Sequence, residues 1–318
     1  MTALTARPRG RSGLLASRLT ILLFLAPALF MFVLFVLVPV AQAAHYSFYD
    51  WTGLGPLDKF VGLDNYAAAL GSDTFRTAVS NNLLLVALSL LVQIPFSLGL
   101  AVLLNRRFTG RALFRLIFFL PYVISEAITG VIFRLLLQPD AVIDSGMKGV
   151  GAGGLIQDWL GDPTFVMITL FIIISWKYFG FHLIILLAGL QGIPREIEEA
   201  AFIDGAGRWQ AFRYVTLPLL GPTIRVSVFL SIIGALQLFD LVFVITGGGP
   251  ITMGASGATV DASGTMALDM FKTGFTNQSM GAGSAVAVLL FVFCFVVALG
   301  YQRLVLRRDV EGALTTNG

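Results

Sequence analysis

Long runs of apolar residues alternate with short polar stretches along the whole chain. A helix needs about 20 mainly apolar residues to cross the hydrocarbon core of a bilayer. The pattern therefore predicts six membrane-spanning helices, which cover residues 19–41, 81–104, 112–137, 164–190, 223–246 and 284–301. The expected fold is an all-α polytopic membrane protein. A single transmembrane domain extends over 19–307, between terminal tails at 1–18 and 308–318.

The first apolar run could be mistaken for a secretory signal peptide, because Arg7, Arg9, Arg11 and Arg18 precede it. A signal peptide, however, has an apolar region of only about 7–15 residues, followed by a small-residue cleavage site. The run at 19–41 is longer, and no such site follows it cleanly. We therefore expect a retained membrane span.

Arginine is concentrated in alternate segments between the runs. It is enriched in the N-terminal tail, in 105–115, in 191–222 and at the end of the chain. Lysine and arginine accumulate on the cytoplasmic side of membrane proteins. The distribution therefore predicts that both termini and the loop at 191–222 are cytoplasmic, and that the glycine-rich loop at 247–277 lies outside.

Composition supports a membrane protein. Hydrophobic residues make up 57% of the chain and charged residues 12%, with a mean hydropathy of +0.86. A soluble domain carries about 25% charged residues. The net charge of +3 comes from basic residues that flank the apolar runs, which indicates membrane topology and not a nucleic-acid partner. A lone Cys294 and two distant histidines, His45 and His182, provide neither a disulfide nor a metal site.

The loop at 191–222 is a charged stretch between two apolar runs. Pro194 suits the first turn of a helix, where a backbone N–H is not needed. Acidic side chains follow where the helix dipole favours negative charge, namely Glu196, Glu198 and Glu199. These features predict a short helix outside the membrane.

Gly205 and Gly207 interrupt this helix, and a second short helix is expected at about 208–216. It carries Trp209 and Phe212 on one face. The loop could be no more than a solvated connector. Large apolar groups exposed to water, however, usually mark an interface, so we expect an elbow that contacts a partner.

The spacing within this elbow resembles the signature loop of permease subunits of ABC importers. That signature is Glu-Ala-Ala, three residues, Gly, nine residues, an aliphatic residue, one residue and Leu-Pro. The matching positions are Glu199, Ala200, Ala201, Gly205, Val215, Leu217 and Pro218. Three further stretches resemble the carbohydrate-uptake, maltose-type branch: FVGLDNY (60–66), NRRFTGRALFRLIFFLP (105–121) and LVFVITGGGP (241–250).

The resemblance implies the transmembrane domain of a type I ABC importer, with 195–205 as the helix that docks on a cytoplasmic ATPase. Glu199 would pair with a basic residue of the ATPase, and Gly205 would permit the turn between the helices. The residues assigned to coupling are Glu198, Glu199, Ala200, Ala201, Asp204, Gly205, Leu217 and Pro218.

The chain contains no G-x-x-x-x-G-K-[ST] loop for nucleotide phosphates. The resemblance therefore implies a non-catalytic subunit without a cofactor of its own, with ATP and Mg²⁺ on the ATPase. The implied assembly has a second homologous permease, which we expect to form a heterodimer with this chain. Two ATPase subunits and an extracytoplasmic sugar-binding protein complete the complex in a bacterial-type plasma membrane.

Polar and aromatic residues within the runs are candidates for the substrate path, because charged groups in a bilayer are costly. These candidates are Gln93, Glu126, Trp176, Lys177, Tyr178, Gln237, Phe239 and Asp240. They suit an uncharged di- or oligosaccharide carried by alternating access. Structural roles are alternatives, since Glu126 and Lys177 could form an ion pair, Asp240 could cap a helix and Trp176 could face lipid.

Three other functions remain open at this point. The chain could be an ABC importer permease for glycerol phosphate, a polyamine or an amino acid, since these share the elbow. A membrane enzyme would need clustered His, Asp or Glu, whereas the ionisable groups here are scattered. A secondary transporter could use Glu126 for ion coupling but would not need an elbow that docks on an ATPase.

Overall fold

The computed structural model describes residues 11–106 and 108–306. Most of the N-terminal tail, residues 1–10, and all of the C-terminal tail, 308–318, lie outside the described residues. The tails contain Arg7, Arg9 and Arg308. Arg107 of the NRRF stretch and Arg307 also lie outside the described residues. The described part is mostly helical, and its six long apolar segments are named A to F below.

Segments A to C lie in the first half of the chain. Segment A comprises Arg11–Phe32, the π-helical turn Val33–Leu37 and Val38–Tyr46. Segment B comprises Asp73–Leu88, the π-helical turn Ser89–Gln93 and Ile94–Asn105. Segment C comprises Arg111–Val123 and Glu126–Leu136. Short helices at Asp64–Gly71, Val142–Gly149 and Gly153–Leu155 lie in the connections after segments A and C.

Segments D to F lie in the second half. Segment D is the single helix Val166–Gln191. The elbow follows as Arg195–Ile203, Arg208–Ala211, the π-helical turn Phe212–Thr216 and Leu217–Leu219. Segment E comprises Gly221–Leu236 and Asp240–Ile245, and segment F comprises Met280–Tyr301 and the π-helical turn Gln302–Leu306. Between E and F lie strands Ile251–Met253 and Thr259–Asp261, the helix Met266–Phe271 and the π-helical turn Lys272–Thr276.

Four stretches of the described residues are each long and apolar enough to cross a bilayer alone, namely Leu23–Tyr46, Asp73–Asn105, Val166–Gln191 and Met280–Val305. Two further pairs of helices are long and apolar enough to cross only when the two helices of each pair are counted as one span. Arg111–Val123 and Glu126–Leu136 are bent by 93°, and Arg208–Leu219 and Gly221–Leu236 by 66°. The number of spans is therefore four, or up to six if each bent pair is one span.

Segment C was expected to be one helix over 112–137, but it breaks at Ile124 and Ser125. Both residues have extended backbones, and Pro121 already removes one helical N–H shortly before the break. Ser125 Oγ accepts a hydrogen bond of 3.2 Å from Ile128 N and so begins the second helix. Lys177 Nζ of segment D donates to the Ile124 carbonyl freed by the break.

Segment E, expected as one helix over 223–246, breaks after Leu236. Side chains from elsewhere satisfy the carbonyl groups that the break leaves without a helical partner. Asn82 of segment B is fully buried and donates to Ala235 O at 2.7 Å and Leu236 O at 3.3 Å. Thr265 Oγ1 donates to Leu238 O at 2.8 Å. A broken helix is tolerated inside a membrane protein when its backbone groups are satisfied in this way.

The glycine-rich loop at 247–277 contains regular secondary structure. Strands Ile251–Met253 and Thr259–Asp261 pair in antiparallel fashion and add a small hairpin to the mostly helical fold that the sequence predicted. Asp73 carboxylate oxygen Oδ2 accepts hydrogen bonds from Ser256 N and Oγ, both at 2.6 Å. The hairpin turn is therefore tied to the start of segment B.

Small residues allow the segments to approach closely. A Cβ atom on Gly180 of segment D would lie 2.0 Å from the Phe118 carbonyl oxygen of segment C. A Cβ on Gly130 would lie 2.7 Å from Val244 Cγ1. Contacts this short leave no room for a methyl group, so these glycines set the distances between C, D and E.

Candidate functional site

A cavity of about 140 Å³ lies between segments B, C, D and E. Its polar lining consists of Ser89, Gln93, Tyr122, Tyr178, His182 and Ser231. Its apolar lining consists of Leu85, Phe171, Ile174, Phe181, Leu230, Gly234, Ala235 and Leu238. The cavity therefore offers hydrogen-bonding and aromatic groups without a carboxylate, lysine or arginine in its wall.

The small polar side chains of the cavity bind one another. Ser89 Oγ donates to Gln93 Oε1 at 2.8 Å and lies 2.5 Å from Ser231 Oγ. The Gln93 amide nitrogen has no hydrogen-bond partner among the described residues, so it can donate to a ligand. His182 Nδ1 lies 2.8 Å from Ser227 Oγ, which fixes the orientation of its ring.

One wall of the cavity is aromatic. The Tyr122 ring stacks on Phe181, with centroids 4.9 Å apart and planes 19° apart, and meets the edge of Tyr178 at 6.1 Å. The Tyr178 hydroxyl donates to Glu126 Oε1. Because Glu126 starts the second helix of segment C, this hydrogen bond orients the Tyr178 ring relative to the break.

Two of the expected substrate-path residues, Gln93 and Tyr178, line the cavity. Lys177 does not, because its side chain is only 2% exposed and turns to the Ile124 carbonyl. The alternative of a Glu126–Lys177 ion pair was wrong, since no ion pair joins these two described residues. Each binds a different partner on the neighbouring segment instead.

Glu126 and the other four candidates also lie outside the cavity wall. Trp176 is partly exposed and meets the edge of the Phe133 ring at 5.1 Å. Gln237 and Asp240 are exposed at the break in segment E. Phe239 stacks on Phe243 at 5.3 Å.

Sequence reasoning missed Ser89, Tyr122, His182 and Ser231. A signal for two of them exists, because Ser89 precedes Gln93 by four residues and His182 follows Tyr178 by four. Residues at this spacing share one face of a helix. No group of three or more His, Cys, Asp or Glu side chains within 11–106 and 108–306 is arranged to hold a metal ion.

The elbow turns sharply at Gly205, whose φ of +88° favours glycine. Ala206 N donates to Ala201 O at 2.9 Å and Gly205 N donates to Phe202 O at 3.1 Å. This pair of hydrogen bonds is the Schellman motif that ends many helices. Asp204 is exposed beside the turn.

The second arm of the elbow returns toward the first. Thr216 Oγ1 donates to Glu198 Oε1 at 2.8 Å, so Glu198 joins the two arms. Glu199 and Ala200 remain exposed, and Ala201 is half-buried. Leu217 is half-buried and Pro218 exposed, directly before Leu220, which is buried against segments B and D.

The elbow also exposes large apolar side chains. Ile203 is 86% and Trp209 71% exposed, and Phe202 is about half exposed. Trp209 packs only partly on Phe212, with ring centroids 5.7 Å apart. The elbow therefore presents an apolar surface beside the exposed acid Glu199.

Comparison with known proteins agrees with this architecture. The chain is 35% identical to a probable ABC transporter permease of Pyrococcus horikoshii, over 88% of this chain and 94% of that protein. It is 33% identical to a lactose transport system permease protein of Rhizobium radiobacter, over 87% of this chain and 90% of that protein.

A crystal structure of a bacterial alginate ABC transporter, in complex with an alginate pentasaccharide-bound periplasmic protein, shares the fold. It superposes with a TM-score of 0.77 at 22% identity, over 91% of this chain and 94% of that chain. Residues 93–310 match the family described as binding-protein-dependent transport system inner membrane component. The chain is thus a permease of the ABC transporter type and belongs to that family.

Proposed function

We propose that this chain is one of two permease subunits of an ATP-driven importer for a di- or oligosaccharide. The cavity between segments B, C, D and E supports a sugar substrate, because its wall combines hydroxyl, amide and imidazole groups with tyrosine rings. At about 140 Å³ it is smaller than the ~300 Å³ of the smallest common ligand pockets. A partner permease would complete the path, and alternating access would open it to each side.

The absence of charge from the cavity wall distinguishes this proposal from the two alternative solutes that carry a net charge. A polyamine site would call for carboxylates, and a glycerol phosphate site for lysine or arginine. Within the described residues, the nearby Glu126 and Lys177 bind Tyr178 and the Ile124 carbonyl and do not enter the wall. An uncharged sugar therefore fits the wall better than either charged solute.

The proposed topology has six spans with both termini in the cytoplasm. The end of segment B, the end of segment D and the start of segment E pack in one apolar cluster through Leu104, Leu190 and Leu220. The arginine-rich loops at 105–115 and 191–222 therefore extend from the same side of the molecule. This placement supports a cytoplasmic location for both loops.

The elbow is proposed to dock on one of two ATPase subunits. Glu199 would form an ion pair there, while Ala200 and Ala201 allow close approach and Ile203 and Trp209 supply apolar contact. ATP and Mg²⁺ would bind to the ATPases. A second, homologous permease and an extracytoplasmic sugar-binding protein would complete the assembly in a bacterial-type plasma membrane.

The exposed apolar surface of the elbow is the observation that carries this proposal. Affinity-tagged chain purified from its native membrane in mild detergent should bring with it a subunit that contains a phosphate-binding loop, and a second permease. Ile203→Asp should reduce recovery of the ATPase but not of the second permease. Recovery of the chain without any ATPase would contradict the proposal and favour a secondary transporter.

A further inference from the structure

A second, more open pocket of about 380 Å³ lies where segments C and E end. Its polar side chains are Arg134, Gln138, Asp158 and Thr246. The rest of the lining consists of Leu137, Pro139, Leu160, Gly161, Ile245, Gly249 and Pro250. The proposed topology places these residues at the extracytoplasmic end, so we call this the outer pocket.

The outer pocket contains donors and acceptors that the protein leaves unused. Within the described residues, the Arg134 guanidinium and the Gln138 amide have no hydrogen bond or ion pair. Among the same residues, the Asp158 carboxylate accepts only from Gly161 N, at 2.9 Å in its own turn. A guanidinium has five N–H donors and a carboxylate about four acceptor positions. Most of this capacity remains available to a ligand.

Thr246 is held in place by its neighbours. Its Oγ1 donates to Val242 O at 3.1 Å, lies 2.8 Å from Ser263 Oγ and accepts from Gly248 N at 3.1 Å. The backbone that leads to Gly249 and Pro250 is fixed by these hydrogen bonds. One side of the outer pocket is therefore preformed, whereas Arg134 and Gln138 are free to adjust.

An apolar cluster borders both cavities, which share no lining residue. It contributes Leu85, Phe171 and Leu238 to the inner cavity. The same cluster contributes Leu137 and Ile245 to the outer pocket. The two cavities are therefore joined within this chain by one continuous apolar cluster.

We propose that the outer pocket is a sugar-binding vestibule, the first binding site on the path. The apolar cluster lies between this vestibule and the inner cavity. This inference rests on the proposed function. Arg134 and Asp158 carry opposite charges, so the pocket suits a solute without net charge. The hydroxyl groups of a sugar can donate to the carboxylate and accept from the guanidinium. Gln138 supplies one more donor and acceptor.

The vestibule can be tested by asking whether a sugar protects a thiol in the outer pocket from labelling. The experiment uses intact cells that make the whole importer. The single cysteine is removed as Cys294→Ser, and Gln138→Cys is labelled with a membrane-impermeant maleimide. Lactose, maltose and diacetylchitobiose are the probes. At least one should slow labelling about tenfold once its concentration exceeds the dissociation constant about tenfold. Arg134→Gln combined with Asp158→Asn should abolish that protection.

Val150→Cys is the matched control, because Val150 is 81% exposed in the same connection between segments C and D and does not line the pocket. Its labelling rate should not respond to the probes. Equal protection of both thiols would overturn the vestibule. Protection that survives the double substitution would also overturn it.

Accumulation of the same three radiolabelled sugars by wild-type cells separates this inference from the proposed function. Accumulation of a sugar that does not protect Gln138→Cys would overturn the vestibule alone. Protection by a sugar that is not accumulated would support the pocket and contradict sugar import. If none of the three sugars is accumulated and none protects Gln138→Cys, the result counts against both the vestibule and sugar import.

Discussion

Thr216 Oγ1 donates a 2.8 Å hydrogen bond to Glu198 Oε1 and thereby joins the two arms of the elbow. The neighbouring Glu199 makes no such bond and is exposed. Adjacent glutamates therefore have different roles in this structure. Glu198 holds the shape of the elbow, and Glu199 is left exposed on its surface.

Glu199→Lys should prevent docking on the ATPase while the chain still inserts at wild-type levels. The reason is that the substitution reverses a charge proposed to face a basic residue. Glu196→Lys is the matched control, because it makes the same change on an exposed position of the same helix. Co-purified ATPase is the quantity to measure. Equal recovery with both variants would remove the proposed role of Glu199.

Gly205→Ala should destabilise the turn of the elbow by about 1–2 kcal/mol, the cost of a left-handed backbone for a residue with a Cβ. Faster proteolysis of the elbow in the purified protein would report this loss. Gly207→Ala should cost less, since Gly207 has a φ of −71° and needs no left-handed backbone, although alanine is less favourable than glycine at the start of a helix. Similar proteolysis rates for both variants would refute the argument from the turn.

Gly180→Ala should lower the thermal stability of the purified protein, because its new methyl group would overlap the Phe118 carbonyl and force segments C and D apart. Gly99→Ala provides the comparison within segment B, where nothing lies within 4 Å of the new atom. Alanine favours a helix over glycine by about 1 kcal/mol, so this variant should be neutral or slightly more stable. A Gly180→Ala protein as stable as wild type would show that the contact can relax.

The apolar runs predicted where the long segments lie, because the length of a run is a property of the sequence alone. They did not predict the breaks in C and E. Each break depends on a distant side chain that satisfies the freed carbonyls, Lys177 in one case and Asn82 in the other. Neither of these hydrogen bonds produces a periodic pattern in the sequence.

The two candidate sites, the elbow and the cavity between segments B, C, D and E, differed in how far the sequence predicted them. The elbow could be located from its own residues, because its turn, caps and charges are local. Cavity lining depends on which face of each helix turns inward, and strongly apolar segments give little indication of this. Lys177 and Tyr178 are adjacent in the chain, yet only Tyr178 lines the cavity.

Asp269 is expected to make stability depend on pH. It lies in the loop between segments E and F, and burial raises its pKa to about 6, with the nearby Asp261 acting in the same direction. Two neighbours act against this shift. Lys272 forms its ion pair with Asp261 instead, at 2.5 Å. Thr273 Oγ1 donates to Asp269 at a distance of 3.4 Å. The folded protein therefore holds this proton more tightly than the unfolded chain, whose carboxyl pKa is 3.8.

Stability should consequently fall as the pH rises from about 4 to about 6 and should stay reduced above that range. Asp269→Asn should remove this dependence and raise the thermal stability at pH 7 relative to wild type. The exposed Asp58→Asn serves as the control. Parallel pH profiles of thermal unfolding for wild type and Asp269→Asn would contradict this assignment.

ATP-driven uptake by the complete importer is the most direct test of the account. The chain, its partner permease, the ATPase and the binding protein are reconstituted in proteoliposomes and supplied with radiolabelled di- and oligosaccharides. We predict accumulation of at least one sugar that requires both ATP on the ATPase side and the binding protein on the other. Uptake without ATP, or uptake of a polyamine, amino acid or glycerol phosphate in place of any sugar, would contradict the proposed function.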